Sequence, residues 1–153
     1  MNPQLNFNCK MDNLPNAIQI AELTSSVDVT TNYLLNHDCI NFPTVCERCG
    51  GNDTFSWKDT KMKMVRCKER GCRHQFSIYK DTFMKGSRLD ARQILYLAKS
   101  WLNEETVKAT AVNLKGLVGR NSIVNHFGYF RQLVLSDIRK ADEIIGSPGK
   151  LKI

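Results

Sequence analysis

Two short-spaced pairs of cysteines, Cys46-x2-Cys49 and Cys67-x4-Cys72, stand 17 residues apart, and no other feature constrains the fold as much. A tight turn between paired thiols presents two sulfurs to one point, and the chain between the pairs is long enough for a hairpin that brings the two turns together. Four sulfurs so placed are the donor set of one tetrahedral structural zinc. Gly50 and Gly51 follow the first pair and let its turn reverse. The whole Cys-rich stretch, Thr44 to Lys80, is only 37 residues, too short to bury a core alone. A structural zinc site supplies about 10 to 16 kcal/mol of apparent binding energy to such a segment. The plainer reading is four unligated thiols in a small core. His74 is the alternative fourth ligand, poorer because Cys67 to Cys72 already closes a turn. Cys9, His37 and Cys39 offer three donors without paired spacing and are read as unliganded.

Composition places the metal motif in a particular kind of protein. The chain has 153 residues, 42% hydrophobic and 24% charged, which fits one or two compact domains and excludes collagen-like or disordered chains. No apolar run approaches the roughly 20 residues that span a bilayer, and Met1 to Lys10 lacks the apolar core of a secretory signal. These features predict an intracellular protein with no membrane partner, whose six cysteines are thiols or ligands rather than disulfides. The net charge of +7 is uneven. Residues 1–43 have one basic and four acidic side chains, residues 44–102 have 13 and six, and residues 103–153 have eight and five. A basic middle and end suit a polyanion such as nucleic acid; a solvated basic face is the bland alternative.

The order of patterns predicts an α+β chain. Residues 1–43 read as a helical appendage, with Ser26 or Asp28 capping a helix that carries Val27, Tyr33, Leu34 and Leu35. Residues 44–86 read as a small antiparallel zinc ribbon with strand runs at Thr54 to Trp57, Met62 to Arg66 and Gln75 to Tyr79, and with Trp57 and Phe76 in its core. Residues 87–145 read as a three-helix, helix-turn-helix unit, and 146–153 as a tail. Asp90 with Gln93 predicts a capping box for a helix to Leu102 with an apolar stripe. Asn103 is expected to cap a second helix with Glu104 and Glu105 in its first turn, and a third is expected from Arg120, with Ile123, Phe127, Phe130 and Val134 on one face. In a helix-turn-helix the first polar residues of the last helix meet the major groove. Here those are Arg120, Asn121, Ser122, Asn125 and His126, while Lys61, Lys63 and Arg66 of the ribbon are candidates for phosphates.

Cys46-Glu47-Arg48-Cys49-Gly50, Cys67-Lys68-Glu69-Arg70-Gly71-Cys72, Arg73-His74-Gln75-Phe76-Ser77, Asp81-Thr82-Phe83-Met84, the helix Leu89 to Leu102, Thr106-Val107-Lys108 and Ile145-Gly146-Ser147-Pro148-Gly149-Lys150 occur in this order. Together they resemble the amino-terminal region of Merlin-type DNA transposases and their insertion-sequence relatives. The resemblance covers about residues 27–153. It implies a zinc ribbon plus helix-turn-helix that binds the terminal inverted repeats of a transposon as double-stranded DNA, in the nucleus, with possible homo-oligomers. In the family the Gly-Pro-Gly-Lys stretch leads into a ribonuclease-H-like core with metal-binding aspartates, and the sequence ends at Ile153. The expectation is a DNA-binding module of a truncated or domesticated transposase that does not itself catalyse strand transfer. The alternatives are a zinc-ribbon module that binds another protein in a transcription or chromatin factor, and a fragment of an active transposase.

Overall fold

A computed structural model of the chain describes residues 16–52 and 55–145, with side chains up to Lys140. Cys9 and the 146–153 tail, with its Gly-Pro-Gly-Lys stretch, lie outside the described residues. The fold is α+β: a three-stranded antiparallel sheet and, among the described residues, five helices. By contact density the chain divides into two compact units, Met1–Tyr96 and Leu97–Ile153.

The first unit begins with α1 (Ala17–Leu23) and α2 (Val27–Asn36). The sequence patterns did not predict α1, which is only seven residues long, but a reciprocal cap starts it. Asn16 Oδ1 accepts from the Gln19 N–H and Gln19 Oε1 from the Asn16 N–H, both at 2.9 Å. Ser26, not Asp28, caps α2 through the Val29 N–H. Thr30 and Thr31 face inward with Leu34, and the Thr30 hydroxyl bonds the carbonyls of Leu23 and Ser26. Those bonds fasten α2 to the end of α1 and meet the cost of burying a hydroxyl.

The sheet consists of β1 (Phe55–Trp57), β2 (Met64–Cys67) and β3 (Gln75–Ser77) in the order β1-β2-β3. Its register pairs Phe55 with Cys67, Trp57 with Val65 and Val65 with Phe76, and on the alternate positions Ser56 with Arg66 and Arg66 with Gln75. Side chains alternate across a strand, so one face is apolar and the other carries Ser56, Arg66, Gln75 and Ser77 with one apolar side chain, Met64. On the apolar face Phe42 meets Trp57 edge-on at 5.2 Å, and Phe55 meets Phe76 at 5.4 Å. Trp57 and Phe76 are thus part of the packing. After the sheet, Ile78, Tyr79 and Met84 are buried in the 78–89 segment.

Helix α3 (Ala91–Leu102) starts at the predicted capping box: Asp90 Oδ1 accepts from the Gln93 N–H at 3.0 Å and Gln93 Oε1 from the Asp90 N–H at 2.9 Å. The second unit takes the end of α3 with α4 (Val107–Asn113) and α5 (Arg120–Ile145). Its core holds Leu97, Leu114, Val118, Ile123, Phe127 and Phe130.

Two expectations change here. Thr106, not Asn103, caps α4, accepting from the Ala109 N–H at 3.1 Å. Glu104 and Glu105 belong to the preceding connection, because Glu104 adopts a left-handed φ of 57° and both residues donate their N–H groups back to α3 carbonyls. The second change is at Val134, which is 43% exposed, while Ile123, Phe127 and Phe130 on the same predicted face are buried. Helix α5 has 26 residues, about 39 Å, and α4 has only seven, too short to cover it.

Candidate metal centre and nucleic-acid interface

One cysteine turn precedes β1, the other connects β2 to β3, and the two close on each other. In the first, the Gly50 N–H donates to the Cys46 carbonyl at 2.8 Å and the Cys46 N–H to the Gly51 carbonyl at 2.9 Å. Gly50 makes this possible with a φ of 70°, where a side chain would be strained. In the second, the Cys67 N–H donates to His74 and the Cys72 N–H to Glu69. Arg48 Nη1 reaches the Cys72 carbonyl and joins the two turns directly.

All four sulfurs lie within 4.8 Å of one another, and this is the one such group of His, Cys, Asp or Glu among the described residues. Cys46 and Cys72 Sγ are 3.7 Å apart, as are Cys49 and Cys67 Sγ. Four thiolates each about 2.3 Å from a central ion would stand about 3.8 Å apart at the corners of a tetrahedron. The four cysteines lie close enough together to hold a metal ion. Cys46 and Cys67 are buried against Phe55, with Cys72 and Phe76 packed on them, and Cys49 is exposed.

The electrostatics favour one charge and resist more. The N–H groups of Cys49 and Arg48 point at the Cys46 sulfur and bring its thiol down to about 7, against the effect of burial. At Cys49 the Gly51 N–H acts in the same direction, yet burial and the three neighbouring sulfurs push it up to about 12. Four thiolates this close need a cation among them.

His74 is outside the group and stacks on Phe76 at 5.8 Å. His37 is also outside, with Nδ1 donating to the Tyr33 carbonyl at 2.8 Å. Cys39 is disulfide-bonded, so the expectation that the cysteines are all thiols or ligands does not hold there.

The residues expected to meet DNA separate into three kinds. Lys61, Arg120, Asn121 and Asn125 are exposed, and Ser122 is half-buried. Lys63 is committed inward: its ammonium donates to the Ser87 carbonyl at 3.1 Å and lies 5.8 Å from the Tyr79 ring centroid. Burial, followed by the nearby Lys61, lowers its pKa. A phosphate would have to displace that internal bond. His126 is 9% exposed, donates from Nδ1 to the Ser122 carbonyl at 2.8 Å and packs near Tyr129 and Phe130. It faces the core because it lies three residues after Ile123 and four before Phe130, a spacing legible in the sequence. That position takes it off any exposed reading edge.

Arg66 stands at the centre of the polar sheet face, between Ser56 and Gln75. Lys58, one of the basic residues crowded into the ribbon sequence, lies on that face as well and donates to Gln75 Oε1. Period-2 alternation outward from Trp57 was the available signal.

No protein-family model, curated protein or solved structure matches this chain.

Proposed function

We propose that this chain is a zinc-dependent DNA-binding module of the kind that opens a Merlin-type transposase. One zinc ion would be held by Cys46, Cys49, Cys67 and Cys72, making the small sheet a zinc ribbon. Double-stranded DNA, such as transposon ends, would be the partner, and the nucleus the expected address. The observation that carries the reading is the four-sulfur cluster at tetrahedral spacing behind a sheet whose opposite face is polar and basic. A zinc thiolate centre needs soft donors and no open position, and four cysteines supply that. The resemblance in motif order and the surplus of basic residues from 44 onward add the nucleic-acid part. In this reading α4 and α5 act as the helix-turn-helix, with Arg120, Asn121 and Asn125 offered to base edges.

Elemental analysis of purified protein tests the metal, with one zinc per chain expected. Retention of that zinc by Cys67→Ser/Cys72→Ser would sink the assignment. Duplex binding is tested by its salt dependence, since each phosphate neutralised contributes about 0.9 to the slope of log K against log salt. Affinity indifferent to salt favours the second reading, a module that binds another protein. The exposed Val134, Leu135 and Ile138 on α5 give that reading its own support.

A further inference from the structure

Arg66 is the one side chain of the sheet whose placement the fold alone does not explain. Its Nε is buried and makes no hydrogen bond; the Arg92 Nε is in the same state, but the Arg92 guanidinium pairs with Asp90 through Nη2, whereas Arg66 has no ion pair among the described residues. Lys58 follows β1, and its ammonium reaches Gln75 Oε1 on β3. The strand order is β1-β2-β3, so the Lys58 side chain crosses β2, the strand that holds Arg66. Ser56 and Gln75 are Arg66's register neighbours on either side. The ion pairs among the described residues, Lys80 with Glu47 and Arg92 with Asp90, involve neither cation of this face. Two cations with neutral donors between them and no carboxylate to offset them make a place for an anion.

We infer that Arg66, with Lys58, Ser56 and Gln75 around it, forms a seat for a phosphate group of a nucleic-acid backbone on the half-buried polar face of the sheet. This rests on the DNA-binding reading and locates its principal phosphate contact. Of the three ribbon candidates Lys61, Lys63 and Arg66, it singles out the one in the middle of β2, while Lys63 is already bonded to the Ser87 carbonyl. The planar guanidinium fork matches two phosphate oxygens, and an arginine fixed in a strand gives up little freedom on binding. A phosphodiester is favoured over an acidic peptide because basic surplus extends from residue 44 to the end of the sequence, as a long polyanion requires. A competing role for Arg66 is to offset the negative charge of the metal centre, since Cys67 is its neighbour in the chain.

The test uses the full zinc-loaded chain. Inorganic phosphate, titrated at constant ionic strength against chloride, should move the Arg66 Nε–H resonance. In duplex binding, Arg66→Lys should keep the salt slope and lose about fivefold in affinity. Arg66→Gln should lose more than tenfold and lower the slope by about one. Lys85→Gln, an exposed charge off this face, should lose less than twofold. Unchanged affinity in Arg66→Lys, or a Nε–H resonance indifferent to phosphate, overturns the seat while leaving DNA binding intact. Arg66→Gln that loses zinc but binds duplex normally also overturns it, in favour of the charge-offset role. If wild-type protein binds no duplex yet Nε–H responds to phosphate, the DNA reading fails and the seat stands as a site for free phosphate. An equal response to an acidic peptide overturns the phosphate assignment.

Discussion

Asp90 begins α3 and is almost entirely buried, at 5% exposure. Burial alone would raise its pKa, but the Arg92 guanidinium at 3.0 Å and the Gln93 N–H outweigh it, and the carboxyl is held below the usual carboxylate range. A carboxylate whose folded pKa is depressed adds stability that is complete above its unfolded pKa, about 3.9, and is lost as pH falls through the lower folded value. Asp90→Ala should cost about 1 to 2 kcal/mol near neutral pH and flatten the acid limb of the stability curve. Asp90→Asn should keep most of the cap and still flatten that limb. Urea denaturation across pH 2 to 7 checks both, and an unaltered acid limb in Asp90→Asn would show that the charge contributes nothing. At the same scale, His126 shows why one residue type misleads: the sequence puts it near the start of a helix that suits a groove, while its phase with Ile123 and Phe130 puts it inside.

The elements divide by what stabilises them. Strands of three and four residues are too short to persist without help, so the sheet should depend on the metal. Chelation should therefore change the fluorescence of Trp57, read alone in a Trp101→Phe background, while most helical circular dichroism remains. Loss of both signals together would mean that the helices depend on the sheet. Helix α5 should show two regimes. Phe127 and Phe130 are 4% and 5% exposed, so either change to alanine should cost about 3 to 5 kcal/mol. Val134→Ala, at an exposed site, should stay within about 0.5 kcal/mol; denaturant titration separates them. The same contrast explains what the sequence made legible. The cysteine turns, the Asp90 cap and α3 follow from residue spacing, which is local physics. Thr106 as the α4 cap and the bare end of α5 depend on backbone at Glu104 and on the length of a partner helix, which no spacing encodes. Helix α1 was missed because a seven-residue amphipathic run gives little periodic signal.

At the scale of the whole chain, the charge that would approach a polyanion begins with the cysteine-rich stretch and continues to the end of the sequence. Strand transfer by two metal ions needs carboxylates that hold them about 3.5 to 4 Å apart. The purified chain is expected to bind duplex DNA without cutting it, and magnesium- or manganese-dependent nicking that disappears when a carboxylate is substituted would overturn that expectation. Arg66 and Cys67 also carry a consequence for the fidelity of folding. They are adjacent in β2 and point to opposite faces, so a slip of one residue in pairing would drive the guanidinium among the aromatic rings and swing the sulfur out to solvent. A misregistered sheet would then have three sulfurs in reach of the ion instead of four. A metal held by the four cysteines would thereby act as a proofreader of strand alignment, binding firmly only the chain that has paired correctly.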